Sequence, residues 1–125
     1  MNTPKDSRRP AGPALEAMYQ LELWLIPAIE KFPRSQRFLL GDRIQSTALD
    51  VLERLVEATY TRQRRPALQA ANLGLQKLRL LHRLALDLRF LDGRRYEHAC
   101  RRIDEVGRLV GGWMKTERGP NGTTT

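Results

Sequence analysis

The sequence predicts an all-α protein, an up-down antiparallel four-helix bundle. Three observations predict it. Apolar residues recur three and four apart over four long stretches, no segment alternates every second residue as a strand would, and prolines and one Asp-Gly pair divide the stretches. Short connections between long helices make antiparallel neighbours. The helices are expected at 14–31, 36–61, 66–91 and 94–116.

Residues 1–13 read as a disordered arm: they are polar, carry Pro4, Pro10 and Pro13, and lack the apolar run of a signal peptide. The first helix of the bundle (14–116) holds Met18, Leu25 and Ile26, and Pro27 inside it is expected to kink it rather than break it. Pro33 separates it from the second helix, where Leu40, Ile44, Ala48, Val51, Leu55 and Ala58 share one face. A second apolar arc of Phe38, Leu49, Leu52, Val56 and Tyr60 lies about 100° away. Pro66 takes a first-turn position of the third helix. There Leu68, Leu75, Leu78, Ala85 and Leu86 form one arc, and Leu73, Leu80, Leu84, Leu88 and Leu91 another nearly opposite. Asp92-Gly93 turns into the fourth helix, whose seam is Tyr96, Ala99, Ile103, Val106, Val110 and Trp113. Residues 117–125 make a loose, flexible tail.

Three departures from this pattern stand out. Glu22 and His82 occupy positions where apolar residues are expected, so a buried contact between them, or rim positions wetted by solvent, would account for both. Gly107, Gly111 and Gly112 each cost about 1 kcal/mol of helix stability relative to Ala. Either backbone packs closely there or the last turn is merely loose. Finally, one core covers one face of each helix, so the second arcs imply a homo-oligomer or a constant partner. The candidate interface is Phe38, Leu49, Leu52, Val56, Leu73, Leu80, Leu84 and Leu88; a wide core contact within one subunit is the alternative.

Charge is unevenly placed. Residues 1–61 hold eight Lys/Arg against eight Asp/Glu and residues 62–125 hold fourteen against six, so the whole formal +8 belongs to the second half. Eighteen of the 22 cations are Arg, whose planar fork suits phosphate oxygens. Arg94, Arg101, Arg108 and Lys115 recur every seven residues and draw one line along the fourth helix, as a polyanion-binding surface would. The same spacing also marks the solvated face of an ordinary amphipathic helix. Arg62, Arg64 and Arg65 before helix three, with Arg94 and Arg95 at its far turn, make both ends of the last hairpin positive. Arg79 and Arg83 complete the candidate nucleic-acid-binding set; Arg83 is spaced to pair with Asp87, leaving Arg79 free. With two Trp, three Tyr and three Phe, several on core seams, stacking of bases is poorly supported and contact with the phosphate backbone better supported.

The chemistry of an enzyme is not evident. His82 and His98 are the only histidines, neither follows a Glu by three residues as in carboxylate-bridged di-iron bundles, and Cys100 points away from His98. No phosphate-cradling glycine loop occurs, so neither a catalytic constellation nor a cofactor or metal is expected. The lone Cys100 fits an intracellular, reducing setting, and the absence of an apolar run of transmembrane length fits a cytoplasmic protein without a membrane partner.

A family resemblance adds to this. The run from Trp24 to Phe38, containing Pro27 and Phe32-Pro33, resembles the first-helix kink and following turn of the accessory variability determinant (Avd) proteins. Arg95-Tyr96-Glu97-His98-Ala99 and the run from Ile103 to Gly111-Gly112-Trp113 resemble their last helix, with Ala71-Asn72-Leu73 and Leu78-Arg79-Leu80-Leu81 between. The resemblance covers residues 15–116. It implies a basic four-helix bundle that assembles as a homopentameric barrel, lacks catalytic activity, associates with the reverse transcriptase of a diversity-generating retroelement and binds its RNA and DNA. That role supports mutagenic copying of template RNA into cDNA and retrohoming. A related family, encoded in intervening sequences of 23S ribosomal RNA genes, shares the bundle and is the competing assignment.

Overall fold

The computed structural model describes residues 12–117, which form a bundle of four long helices. The two expected tails lie almost entirely outside the described residues.

Helix α1 spans Pro13–Glu30, with proline at its first position, where the missing N–H would have had no partner in any case. Pro27 lies inside it and the helix runs through, as expected. The chain then turns at Phe32, which is buried and meets Phe90 of the opposite connection at 6.2 Å between ring centroids. This aromatic pair closes one end of the bundle. From Pro33 the chain is helical again: a single α-turn at Arg34–Gln36, a π-turn at Arg37–Gly41, and helix α2 over Asp42–Tyr60. A π-turn holds one residue more than an α-turn, and hydrophobic spacing did not reveal it. Gly41 ends that turn against α1, where a Cβ would stand 2.9 Å from Cγ2 of Ile29.

Helix α3 spans Arg64–Asp87 and helix α4 Gly93–Thr116. Helix α3 thus stops four residues earlier than the apolar spacing predicts. Arg89 adopts a left-handed backbone with φ 66°, and the Phe90 N–H donates to Ala85 O at 2.9 Å, which ends the helical ladder. Leu91 consequently leaves the outer arc of α3 and plugs the end of the core. Asp92 serves as the N-cap of α4, accepting the Arg95 N–H at 2.8 Å.

Each helix packs on its sequence neighbours and α1 closes against α4. The inner arcs largely do what their spacing implied: Leu40, Ile44, Ala48, Val51, Leu55 and Ala58 are buried, as are Leu68, Leu75, Leu78 and Ala85 on α3 and Ala99, Ile103, Val106 and Val110 on α4, while Leu86, Tyr96 and Trp113 are half-buried. The tightest helix approach is not where the glycines of α4 pointed. At Gly74 of α3 a Cβ would sit 2.5 Å from Cγ2 of Val51, whereas nothing lies within 4 Å of one at Gly111 or Gly112. Gly107 is intermediate, beneath the Arg79 guanidinium at 3.3 Å.

Glu22 and His82 are both buried, yet they are not partners. His82 Nδ1 donates to Leu78 O at 2.8 Å, and neither carboxylate oxygen of Glu22 has a hydrogen-bond partner. Neither alternative holds: both residues are buried rather than at a wetted rim, and the imidazole is satisfied by a carbonyl of its own helix instead of by Glu22.

Candidate nucleic-acid interface

Helix α4 turns Ala99, Ile103, Val106 and Val110 inward, so residues half a turn away must face outward. Those residues are Arg94, Arg101, Arg108 and Lys115, and all four are exposed. None of them takes part in a described ion pair. They keep company with Glu97, Asp104 and Glu105, which are also exposed. Asp104 is occupied by Arg79, which reaches it from α3 with Nε at 3.0 Å and Nη2 at 2.9 Å. Arg79 is therefore not the free cation its spacing suggested: its partner comes from the neighbouring helix, 25 residues on, beyond the reach of any local rule.

The other candidate cations divide in the same way. Arg83 pairs loosely with Asp87 at 3.9 Å, as its spacing implied. Arg95 bonds the carboxylate of its own N-cap, Asp92, at 3.0 Å. Arg64 bonds Thr61 O at 3.0 Å and Glu117 at 3.3 Å, while Arg65 bonds Met114 O at 3.3 Å. These two arginines pin the α2–α3 loop to the end of α4. Arg62, between α2 and α3, is exposed and enters no described ion pair. Of the candidate cations, the α4 line and Arg62 are thus exposed without a described ion-pair partner, Arg83 is exposed and loosely held, and Arg79, Arg64, Arg65 and Arg95 hold structure.

A second charged surface escaped the sequence reading. Arg43, Ser46, Asp50 and Arg54 of α2 and Gly74 and Lys77 of α3 line a cleft of about 530 Å³. Ala70 and Gly74, four apart on α3, carry too little side chain to fill the space beside the close Val51–Gly74 contact, and they were the only sequence signal of the cleft.

Burial lowers the pKa of His82, with the Leu78 hydrogen bond acting weakly the other way. Burial also lowers that of His98, helped by the charges of Arg102 and Arg101. His98 lies 4.6 Å from Trp24 between ring centroids and accepts from Arg102 Nε at 2.9 Å, tying α4 to α1. Its ring is half-buried. The pKa of the Tyr96 phenol is raised, chiefly by the neighbouring half-buried Cys100. Among the described residues no group of three or more His, Cys, Asp or Glu is placed to hold a metal ion, and no helix is long and apolar enough to cross a membrane.

The apolar residues of the proposed interface fall on two separate faces. Arg43, Ser46, Asp50 and Arg54 occupy the flank of α2 toward α3, so Leu49, Leu52 and Val56 lie on the other flank, toward α1. Leu49 and Val56 are exposed, Leu52 packs partly on the core, and Tyr19, Leu23 and Ile26 of α1 are exposed beside them. Leu73, Leu80, Leu84 and Leu88 are exposed on α3, and Phe38 and Leu39 on the π-turn.

Fold and surface together define a basic, helical bundle protein with a line of exposed cations along the outer side of its last helix. The chain belongs to the bAvd-like family, whose sequence model matches residues 15–117. A comparison with curated proteins finds no match.

Proposed function

We propose that the protein is a non-catalytic, nucleic-acid-binding adaptor that associates with the reverse transcriptase of a diversity-generating retroelement and supports mutagenic cDNA synthesis and retrohoming. The observation that carries the binding reading is the unpaired line Arg94, Arg101, Arg108 and Lys115 on the outer face of α4. Contacts of this kind neutralise backbone phosphates, are tolerant of sequence and weaken steeply with salt. The family match supports the adaptor part of the reading.

Self-association belongs to the same proposal. A ring needs two unlike faces that mate head to tail, and the subunit offers one on α1 and α2 and another on α3. A homopentamer would multiply the subunit's formal +8 fivefold and raise the avidity for a long polyanion.

Replacing Arg94, Arg101 and Arg108 by Glu tests the interface. Circular dichroism and molecular mass should be unchanged, while affinity for RNA falls and the salt slope flattens. Unchanged affinity would move the site to the α2–α3 loop or the Arg43/Lys77 cleft. The polymerase association is tested by co-purification with and without nuclease: a complex that survives nuclease and is strengthened by template RNA is expected, and no complex in either case refutes it.

A further inference from the structure

Tyr60 is 81% exposed, more than any other large apolar side chain among the described residues. It is the last residue of α2, and Thr61, Arg62 and Gln63 follow before α3 begins. An aromatic ring held out in water at a helix end gains nothing from the subunit's own core. Its backbone is nonetheless firmly placed. Arg64 clamps the loop to Thr61 O and to Glu117, and Arg65 clamps it to Met114 O. With those two arginines occupied, Arg62 is left exposed two residues after Tyr60, and Lys115 is exposed on the adjoining end of α4. Across residues 61–65 and 114–117 the cations Arg62, Arg64, Arg65 and Lys115 face Glu117 alone, and Glu117 is taken by Arg64.

We infer that Tyr60 and Arg62 form a contact for an unpaired nucleotide, the tyrosine ring stacking on the base and the guanidinium meeting its phosphate. The inference rests on the nucleic-acid reading above and narrows it. The α4 line addresses backbone charge, which duplexes and single strands share. A stacking ring addresses a base face, which a duplex hides within its own stack. The site therefore gives the protein a preference for unpaired stretches. Sequence reasoning missed it because Tyr60 fits the outer apolar arc of α2, and periodicity does not say which members of an arc remain bare.

The test uses the full chain, a fluorescently labelled single-stranded RNA and its matched duplex, each titrated at several salt concentrations. Tyr60→Ala is expected to weaken single-strand binding about 5- to 150-fold, the range for loss of one base–aromatic stack, with duplex affinity and salt slope unchanged. Tyr60→Trp restores single-strand binding. Unchanged single-strand affinity in Tyr60→Ala, or an equal loss on the duplex, overturns the inference while leaving the wider binding reading intact. A changed molecular mass of Tyr60→Ala in light scattering also overturns it and assigns the ring to a contact between copies. Failure of the unaltered chain to bind either nucleic acid at low salt would overturn both.

Discussion

Glu22 carries a carboxyl group into the bundle with neither oxygen hydrogen-bonded, and burial raises its pKa above the ordinary 4.5. The folded chain then holds this proton more tightly than the unfolded chain. Its contribution is most favourable below pH 4.5 and becomes less so as pH rises toward the folded-state value. Glu22→Met, which keeps the bulk and removes the unsatisfied oxygens, is expected to stabilise the subunit by about 1–3 kcal/mol at pH 7 and by less at pH 4. Chemical denaturation at both pH values checks this, and an equal gain at both would exclude ionisation as the cause. His82 works in the opposite direction. Its lowered pKa means stability is present above pH 6.5 and is lost as pH falls below that value, because the folded state keeps the ring neutral. His82→Leu should flatten the acid limb of a stability–pH profile; an unchanged limb would place the acid sensitivity in other groups.

At the level of the helices, the close approach of α2 and α3 at Gly74 makes a sharp expectation. Gly74→Ala gains about 1 kcal/mol of helix propensity, but its new methyl must displace Val51, and overpacking costs about 1–3 kcal/mol. Net destabilisation is expected, relieved when Val51→Ala is added, and a double mutant no better than Gly74→Ala would show that the two helices are not locked there. Gly112→Ala should do the reverse and raise the melting temperature, since nothing stands near its Cβ. How much of this could be read from sequence follows from what periodicity records. It placed all four helices and every apolar member of the buried arc of α2, because burial on one face repeats every 3.6 residues, but not Thr47, whose hydroxyl is satisfied by Arg43 O of its own helix. It overran α3 because Leu88 and Leu91 continue the spacing past a left-handed Arg89, a backbone event with no apolar signature. It missed the Arg79–Asp104 bridge, the Glu117–Arg64 clamp and the bareness of Tyr60 because each depends on which helix lies beside which.

For the molecule as a whole, the separation of two apolar faces predicts how the proposed assembly would fail. Leu80→Glu combined with Leu84→Glu puts charge on the α3 face alone, and light scattering should then report species near the 14.4 kDa subunit, with helical content kept. If the assembly is a ring, Leu49→Glu with Val56→Glu on the other face should have the same effect, and an equal mixture of the two variants should yield dimers through the one intact pair of faces. Larger closed species in that mixture would argue against head-to-tail packing. The π-turn at Arg37–Gly41 has a consequence of another kind, in the chain's tolerance of changes in length. Because it carries one residue more than an α-turn, deleting one residue there converts it to α and leaves Asp42–Tyr60 facing the core as before. The same deletion in the middle of α2 would rotate everything beyond it by about 100° and exchange its buried and exposed faces. Length variation between homologues should therefore collect at residues 37–41 and stay out of the helix that follows.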